Sequence, residues 1–380
     1  MKKIWIVIII IGVIALLVSY IETRRGKVSG EIKIGVILPL TGDGAVYGER
    51  FKKGIDLAFN EIKSQNLIRQ KVKLIYEDDK LDPSVGVSVF QKLVTVDKVP
   101  CVIGPISSGI VLAIAPLANK YKVVVLSPYA SNYKITNAGP YIFRNYPSDA
   151  VQGVVCADLA IEMGFKKAAI LNINSDYGVG LKSIFQKEFT RRGGQIVYNE
   201  SFNTGETDFR TYLTKIKNSG ADFVFLPGNE KEIELILMQA KELNLNLPII
   251  STDSFLPEPI IKKVGNAAEG VIFTTFYEYK GKEYEVFYKK FKESYKEPPT
   301  LLEGLGYDAM WVMAEAIKSV IDSGEKVTGP NIKEALHKIK FKGVTGEISF
   351  DKNGDLVGQE KRFIARKIQN LKVVNLEVGK

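Results

Sequence analysis

Histidine and cysteine are almost missing from this chain of 380 residues, which holds one histidine, His337, and two cysteines, Cys101 and Cys156. One imidazole and two isolated thiols give no raw material for a zinc site or a histidine-based triad, so no metal is expected. Both cysteines sit in apolar surroundings (Val-Pro-Cys-Val-Ile and Val-Val-Cys-Ala), the pattern of buried free thiols rather than of a bridge. His337 lies in the charged helical stretch 331–340 and is expected at the surface. A basic block is also lacking. The net charge is +9, but Lys2, Lys3, Arg24, Arg25 and Lys27 supply much of it. The remaining body, at about +5, has dispersed charge, which argues against nucleic acid as a partner. With 46% hydrophobic and 25% charged residues, the composition excludes a disordered or collagenous chain.

Long apolar runs are absent except for one. Lys2 and Lys3 precede an uncharged stretch from Ile4 to Ile21, followed by Arg24, Arg25 and Lys27. A basic start and an apolar run make an export signal. The run is longer than a usual signal core, nearly long enough to span a bilayer, and lacks a clear small-x-small cleavage site. Residues 1–30 therefore read as a cleaved signal or as an uncleaved anchor, with retention favoured. No cysteine follows the run, which excludes a lipid-modified cysteine. The body is expected outside the cytoplasm: in the periplasm, or on the outer face of the cytoplasmic membrane.

The length exceeds what one hydrophobic core usually organises, so two domains are expected. After residue 30, strand and helix patterns alternate. Apolar strand runs fall at 33–38, 72–76, 100–103, 123–126, 168–173, 223–226, 248–251 and 270–274. Between them, Phe51, Ile55, Leu57, Ala58, Phe59 and Ile62 mark a helical stripe, and Asp82-Pro83 caps and opens a helix. Such alternation predicts an α/β fold of parallel sheets covered by helices. There is also an internal echo: strand, loop, Tyr47-Gly48, helix, and again strand, loop, Tyr177-Gly178, helix. Ligands of open α/β sheets bind beyond the carboxyl ends of strands, so two such ends facing each other would form a cleft.

Several motifs stop short of chemistry. Gly42-Asp43-Gly44 with Gly48 misses the dinucleotide spacing by one position, and the P-loop ending is absent. Glu77, Asp78, Asp79 and Asp82 read as a strand end plus a helix cap. Asp351, Asn353 and Asp355 begin like a calcium loop, but Leu356 and Arg362 break it, and Asn353-Gly354 reads as a tight turn. Ser107-Ser108 follow a strand and open an apolar helix. Their hydroxyls and the free amides there either bind an anion or cap the helix. A nucleophilic serine at either position lacks a base and the Gly-x-Ser-x-Gly turn. Ser127, Tyr129 and Ser131 follow the next strand, and Asp253 ends a later one. Asp253 is suited to an ammonium group or to capping the following turn.

These segments together resemble the periplasmic branched-chain amino acid (leucine-type) binding proteins, the type I solute-binding components of ABC transporters. The resemblance covers nearly all of residues 31–360. Its carriers are Ile34-Gly-Val-Ile-Leu-Pro-Leu-Thr-Gly42, Tyr47-Gly48, Asp78-Asp79 with Asp82-Pro83, Ile103-Gly-Pro-Ile-Ser-Ser108, Leu126-Ser-Pro-Tyr-Ala-Ser131, Asp176-Tyr-Gly178, Gly205-Glu-Thr-Asp-Phe209, Ala268-Glu-Gly270 and Tyr307-Asp308. The resemblance implies two doubly wound lobes joined by a three-strand hinge near Pro147, Thr275 and Phe350. Lobe 1 would comprise 31–147 and 278–350, and lobe 2 would comprise 148–277 and 351–380. It implies an amino acid ligand, its carboxylate on Ser108 and Ser131 with Ser107, Tyr129 and Ala130 nearby. Tyr47 would cover the ligand, and Tyr177 and Asp253 would come from the second lobe, Asp253 taking the amino group. Asn229 stands where amino-acid-binding members carry an aromatic, Tyr129 replaces a small residue, and Asp253 is shorter than the family's Glu. The implied partner is a membrane permease, with no cofactor and no catalytic residue. Relatives bind amides, urea or aromatic acids, or act as ligand sensors, and these form the alternative reading.

Overall fold

The computed structural model describes residues 30–276 and 281–376; the apolar run Ile4–Ile21 lies outside them. The first sheet is built from four apolar runs too buried to alternate and, at one edge, the half-buried and more polar strand 72–78. They are β1 (Ile32–Leu38), β2 (Val72–Asp78), β3 (Cys101–Ile103), β4 (Val124–Ser127) and β5 (Ile142–Arg144), all parallel, in the order β2-β1-β3-β4-β5. The connections are α1 (Ala45–Ser64), α2 (Pro83–Lys92) and α3 (Ser108–Tyr121). Asp82 caps α2, accepting from Ser84 and Val85 amides, with Pro83 in the first turn as its sequence predicts. Phe51, Ile55 and Ala58 of α1 are fully buried on one face, and Ile110, Val111 and Ile114 of α3 on the other.

The chain then leaves this layer through α4 (Asp149–Glu162), capped by Ser148. It builds β6 (Lys167–Ile173), α5 (Asp176–Arg191), β7 (Gln195–Phe202), α6 (Arg210–Lys217), β8 (Phe223–Leu226), α7 (Glu230–Glu242), β9 (Ile249–Ser251), α8 (Pro257–Val264) and β10 (Ile272–Phe276). A second crossing returns it to the first sheet as α9 (Lys282–Tyr295), α10 (Leu301–Asp322) and α11 (Gly329–Lys338), with the hairpin β11 (Phe341–Gly343) and β12 (Gly346–Ile348). α10 lies directly on α1: a Cβ on Gly54 would meet Glu303 O at 2.0 Å, so only glycine permits the contact. A third crossing adds β13 (Phe363–Gln369) and β14 (Lys372–Asn375) to the second sheet, whose order is β14-β13-β10-β9-β8-β6-β7.

Two features depart from the expected pattern. β13 and β14 pair antiparallel, closing an otherwise parallel sheet, and β10 starts two residues later than expected because the chain turns at Gly270 (φ +81°). The Asp351–Asp355 turn is an Asx turn: Asp351 Oδ1 accepts from the amides of Asn353 and Asp355. It packs on the first sheet, where Gly354 O accepts from Arg144 N and Leu356 joins the core. His337 is not the solvated surface residue its charged neighbours suggest. It is half-buried, with its ring centroid 5.0 Å from that of Phe143 and Nδ1 3.1 Å from Asp351 O. Cys101 and Cys156 are buried free thiols, as expected.

Candidate ligand-binding site

In each sheet the strand order reverses beside its first strand, between β1 and β3 and between β6 and β8. That reversal opens a crevice at the carboxyl ends of the strands. The two crevices face each other around a cavity of 590 Å³. Tyr47, Ser107, Ser108, Tyr129, Ser131, Tyr177, Asn229 and Asp253 all line it. Ala130 does not: it is buried behind the wall, its amide held by Ser127 Oγ at 3.0 Å.

The two Tyr-Gly pairs have a common geometric cause. A Cβ on Gly48 would sit 1.9 Å from Pro39 O, and one on Gly178 2.2 Å from Ile173 O. Each glycine thus lets a helix start lie against the end of its sheet's first strand, which aims the preceding tyrosine into the cavity. Tyr47 OH accepts from the amide of Glu230 at 3.2 Å. Tyr177 OH lies 2.7 Å from Thr252 Oγ1 and 3.1 Å from Asp253 Oδ1.

Ser107 and Ser108 begin α3. Ser107 occupies the cap position but its side chain caps nothing. Ser108 Oγ accepts from the amides of Ser131 (3.2 Å) and Asn132 (3.1 Å), so both lone pairs are used and its own proton remains to donate. The first-turn amides of α3 add further donors at the positive end of the helix. The loop carrying Ser131 is fixed from beneath by fully buried Arg144. Arg144 Nη1 donates to Ser131 O and Asn132 O, both at 2.9 Å, while Nε pairs with Asp355 Oδ1 at 2.7 Å. On the opposite wall, Asp253 accepts from Tyr146 OH (2.7 Å, Oδ2) and Tyr177 OH. Burial, more than any neighbour, raises its pKa above the ordinary carboxylate value. Asp149, at the start of α4, is pushed well above that value too, first by burial and then by the charge of Asp253.

Contacts span the cavity. Tyr129 OH reaches Asp253 O at 3.5 Å, Asn132 Nδ2 donates to Asp176 O, and Lys231 pairs with Asp43 at 3.1 Å on the rim. Asn229 lines the wall at the start of α7 without capping it. Among the described residues no group of three or more His, Cys, Asp or Glu side chains is placed to hold a metal ion.

No motif in the sequence points to Tyr146, Asp149 or Arg144, and the sequence offers Asp355 only as part of a broken calcium loop, whereas the structure pairs it with Arg144. A lone arginine inside the apolar run Tyr141-Ile-Phe-Arg144 was the available signal, because a buried cation must have a built partner. Nothing local marks Tyr146 or Asp149.

Residues 31–366 match the family described as periplasmic binding protein. The chain belongs to that family. It is 29% identical over 334 residues to the Leu/Ile/Val-binding protein homolog 2 of Brucella abortus, covering 87% of this chain and 89% of that one. Among solved structures, a leucine-binding protein from Thermotoga maritima superposes with a TM-score of 0.82 at 30% identity, over 91% of this chain and 98% of that one. The branched-chain amino acid transporter substrate-binding protein of Streptococcus pneumoniae, bound to isoleucine, gives 0.80 at 30% identity, over 90% and 98%. The fold is therefore the type I periplasmic binding protein fold. The chain is a solute-binding component of an ABC transporter, a family that works outside the cytoplasm.

Proposed function

We propose that this binding protein captures an amino acid, of the branched-chain type, as a zwitterion held across the cavity between two lobes. One observation carries the reading: an uncharged donor set on the first sheet faces a buried acid on the second. A carboxylate leaving water must regain donors, and Ser108, Ser131 and the α3 amides supply them without a buried cation. An ammonium group has the opposite need, which Asp253 answers. A ligand bearing both charges bridges the lobes and stabilises closure; one charge alone leaves a wall unsatisfied. Tyr47, Tyr129 and Tyr177 pack its body, with Ser107 and Asn229 on the flanks.

The lobes are taken as 31–147 with 278–350, and 148–277 with the remainder, the Asp351–Asp355 turn staying with the first. The hinge runs near Pro147, Thr275 and the segment after Phe350. The protein carries out no turnover, and it delivers its ligand to a membrane permease. The Ile4–Ile21 run is retained as an anchor to the outer face of the membrane, a reading supported by its length and poor cleavage site.

Calorimetry against amino acids, simple amides, aromatic acids and sugars tests the ligand class. Amino acids should bind most tightly; tight binding of an amide or aromatic acid with every amino acid silent transfers the protein to that class. A broad serine-reactive probe should leave Ser107 and Ser108 unlabelled, since stoichiometric labelling of either would reveal an enzyme. Amino-terminal sequencing from the native host decides the anchor, because a start near residue 30 means cleavage.

A further inference from the structure

Because β1–β5 are parallel, their amino ends share the edge of the first sheet opposite the cavity. The segments feeding that edge carry more cations than anions, with Glu31 and Asp97 as the acids among them. Arg69 and Lys71 precede β2, Lys98 precedes β3, and Lys120 and Lys122 precede β4; all five are exposed. Lys98 (φ 59°) and Lys122 (φ 55°) occupy the same left-handed position at the ends of helical turns, so the chain reverses there and presents both at turn tips. Lys71 pairs with Glu31 at 2.8 Å, whereas Arg69, Lys98, Lys120 and Lys122 make no ion pair among the described residues. Two apolar side chains stand out beside these cations: Val96, 70% exposed, and Tyr121, 38% exposed. Lysines around an exposed aromatic and an aliphatic tip are the chemistry of a bilayer interface.

The chain reaches this same edge from its amino terminus. Ile32 N donates to Lys71 O at 2.8 Å, so β1 begins beside the cations. Upstream in sequence come Lys27, Arg25 and Arg24, and then the uncharged run ending at Ile21. The stretch 22–30 between run and edge spans at most about 30 Å even when extended.

We infer that this basic edge rests on an anionic lipid surface, placing the second sheet outward from the bilayer. The inference rests on the anchor reading above. Short tethering raises the effective concentration of the edge at the surface, and juxtamembrane cations add electrostatic attraction that salt screens.

The test uses the full chain in nanodiscs, of zwitterionic phosphatidylcholine or of phosphatidylcholine with phosphatidylglycerol. Val96→Cys gives a thiol at the edge, while native Cys101 and Cys156 are buried and inert, with Cys156 pushed up to about 12 by burial. Maleimide labelling of Val96→Cys should slow about fivefold in anionic discs, the ratio that ~1 kcal/mol for one cation at an anionic surface gives. High salt, or Lys98→Glu with Lys122→Glu, should restore the rate, and Val373→Cys on β14 should label equally in both discs. Equal labelling of Val96→Cys in the two lipids overturns the inference. So does stronger protection by a soluble RNA in zwitterionic discs, which would assign the edge to nucleic acid. Co-elution of the chain with zwitterionic discs at high salt reports the anchor by itself, so failure of the anchor and failure of the edge are read separately.

Discussion

Tyr146 donates its hydroxyl to Asp253 Oδ2 over 2.7 Å, joining residues 107 apart in sequence. Tyr146 immediately precedes Pro147, where the chain first leaves one sheet layer for the other. Its ring stacks on Phe276, 5.4 Å away at 23°, at the second crossing, and packs against Tyr129 at 4.9 Å. The acid of one wall is thus held by an aromatic rooted in the crossing strands, which couples the cavity to the segments that must bend.

Removing that donor should therefore act on folding as well as on binding. Tyr146→Phe keeps the ring and leaves Asp253 short of a charge-assisted bond, a loss of about 1.5–3 kcal/mol. Denaturant melts of the ligand-free protein should show this destabilisation; an unchanged midpoint would mean that Asp253 is satisfied without Tyr146.

Asp253→Asn keeps the shape and removes the charge. Amino acid binding should weaken by about tenfold or more, corresponding to at least ~1.4 kcal/mol, as read by calorimetry. Unaltered affinity would detach the ammonium group from this residue.

The pH dependence has a definite sign. Burial raises Asp253 in the empty protein, so its contribution to ligand-free stability is full below the unfolded value and is lost as pH rises through the folded one. A bound ammonium favours the ionised form and expels the proton. The shift in Tm on adding amino acid should therefore grow from about pH 4 to about pH 7, with proton release seen in buffers of different ionisation enthalpy. Asp79 and Asp308, both pushed up to about 6 by burial, tilt the free and bound curves alike, so the difference isolates the cavity. A flat difference would contradict the role given to Asp253.

Ser108 and Ser107 are neighbours with unequal burdens. Ser108→Ala removes the acceptor of two buried amides as well as the cavity-facing donor, and should cost about 1–3 kcal/mol of stability together with most of the affinity. Ser107→Ala removes a hydroxyl that caps nothing and should leave stability within about 0.5 kcal/mol. Melting and calorimetry of both variants decide it; equal losses would show that Ser108 is not the anchor of the loop.

By itself, the sequence determined the α/β class, most strand positions and the strand ends where polar residues gather, because apolar runs and their breakers are local signals. Tyr47-Gly48 and Tyr177-Gly178 were legible as a repeated phrase, and the order of short motifs carried the family. Only the tertiary structure decided that Ser108 Oγ spends its lone pairs on Ser131 and Asn132, that Arg144 holds that loop while paired with Asp355 beyond two crossings, and that Tyr146 meets Asp253. It also turned His337 inward against Phe143 and paired β13 antiparallel with β10. These contacts join residues with no periodic relation in sequence. Their energy comes from removing water around particular polar atoms, and that depends on which distant side chains close over them.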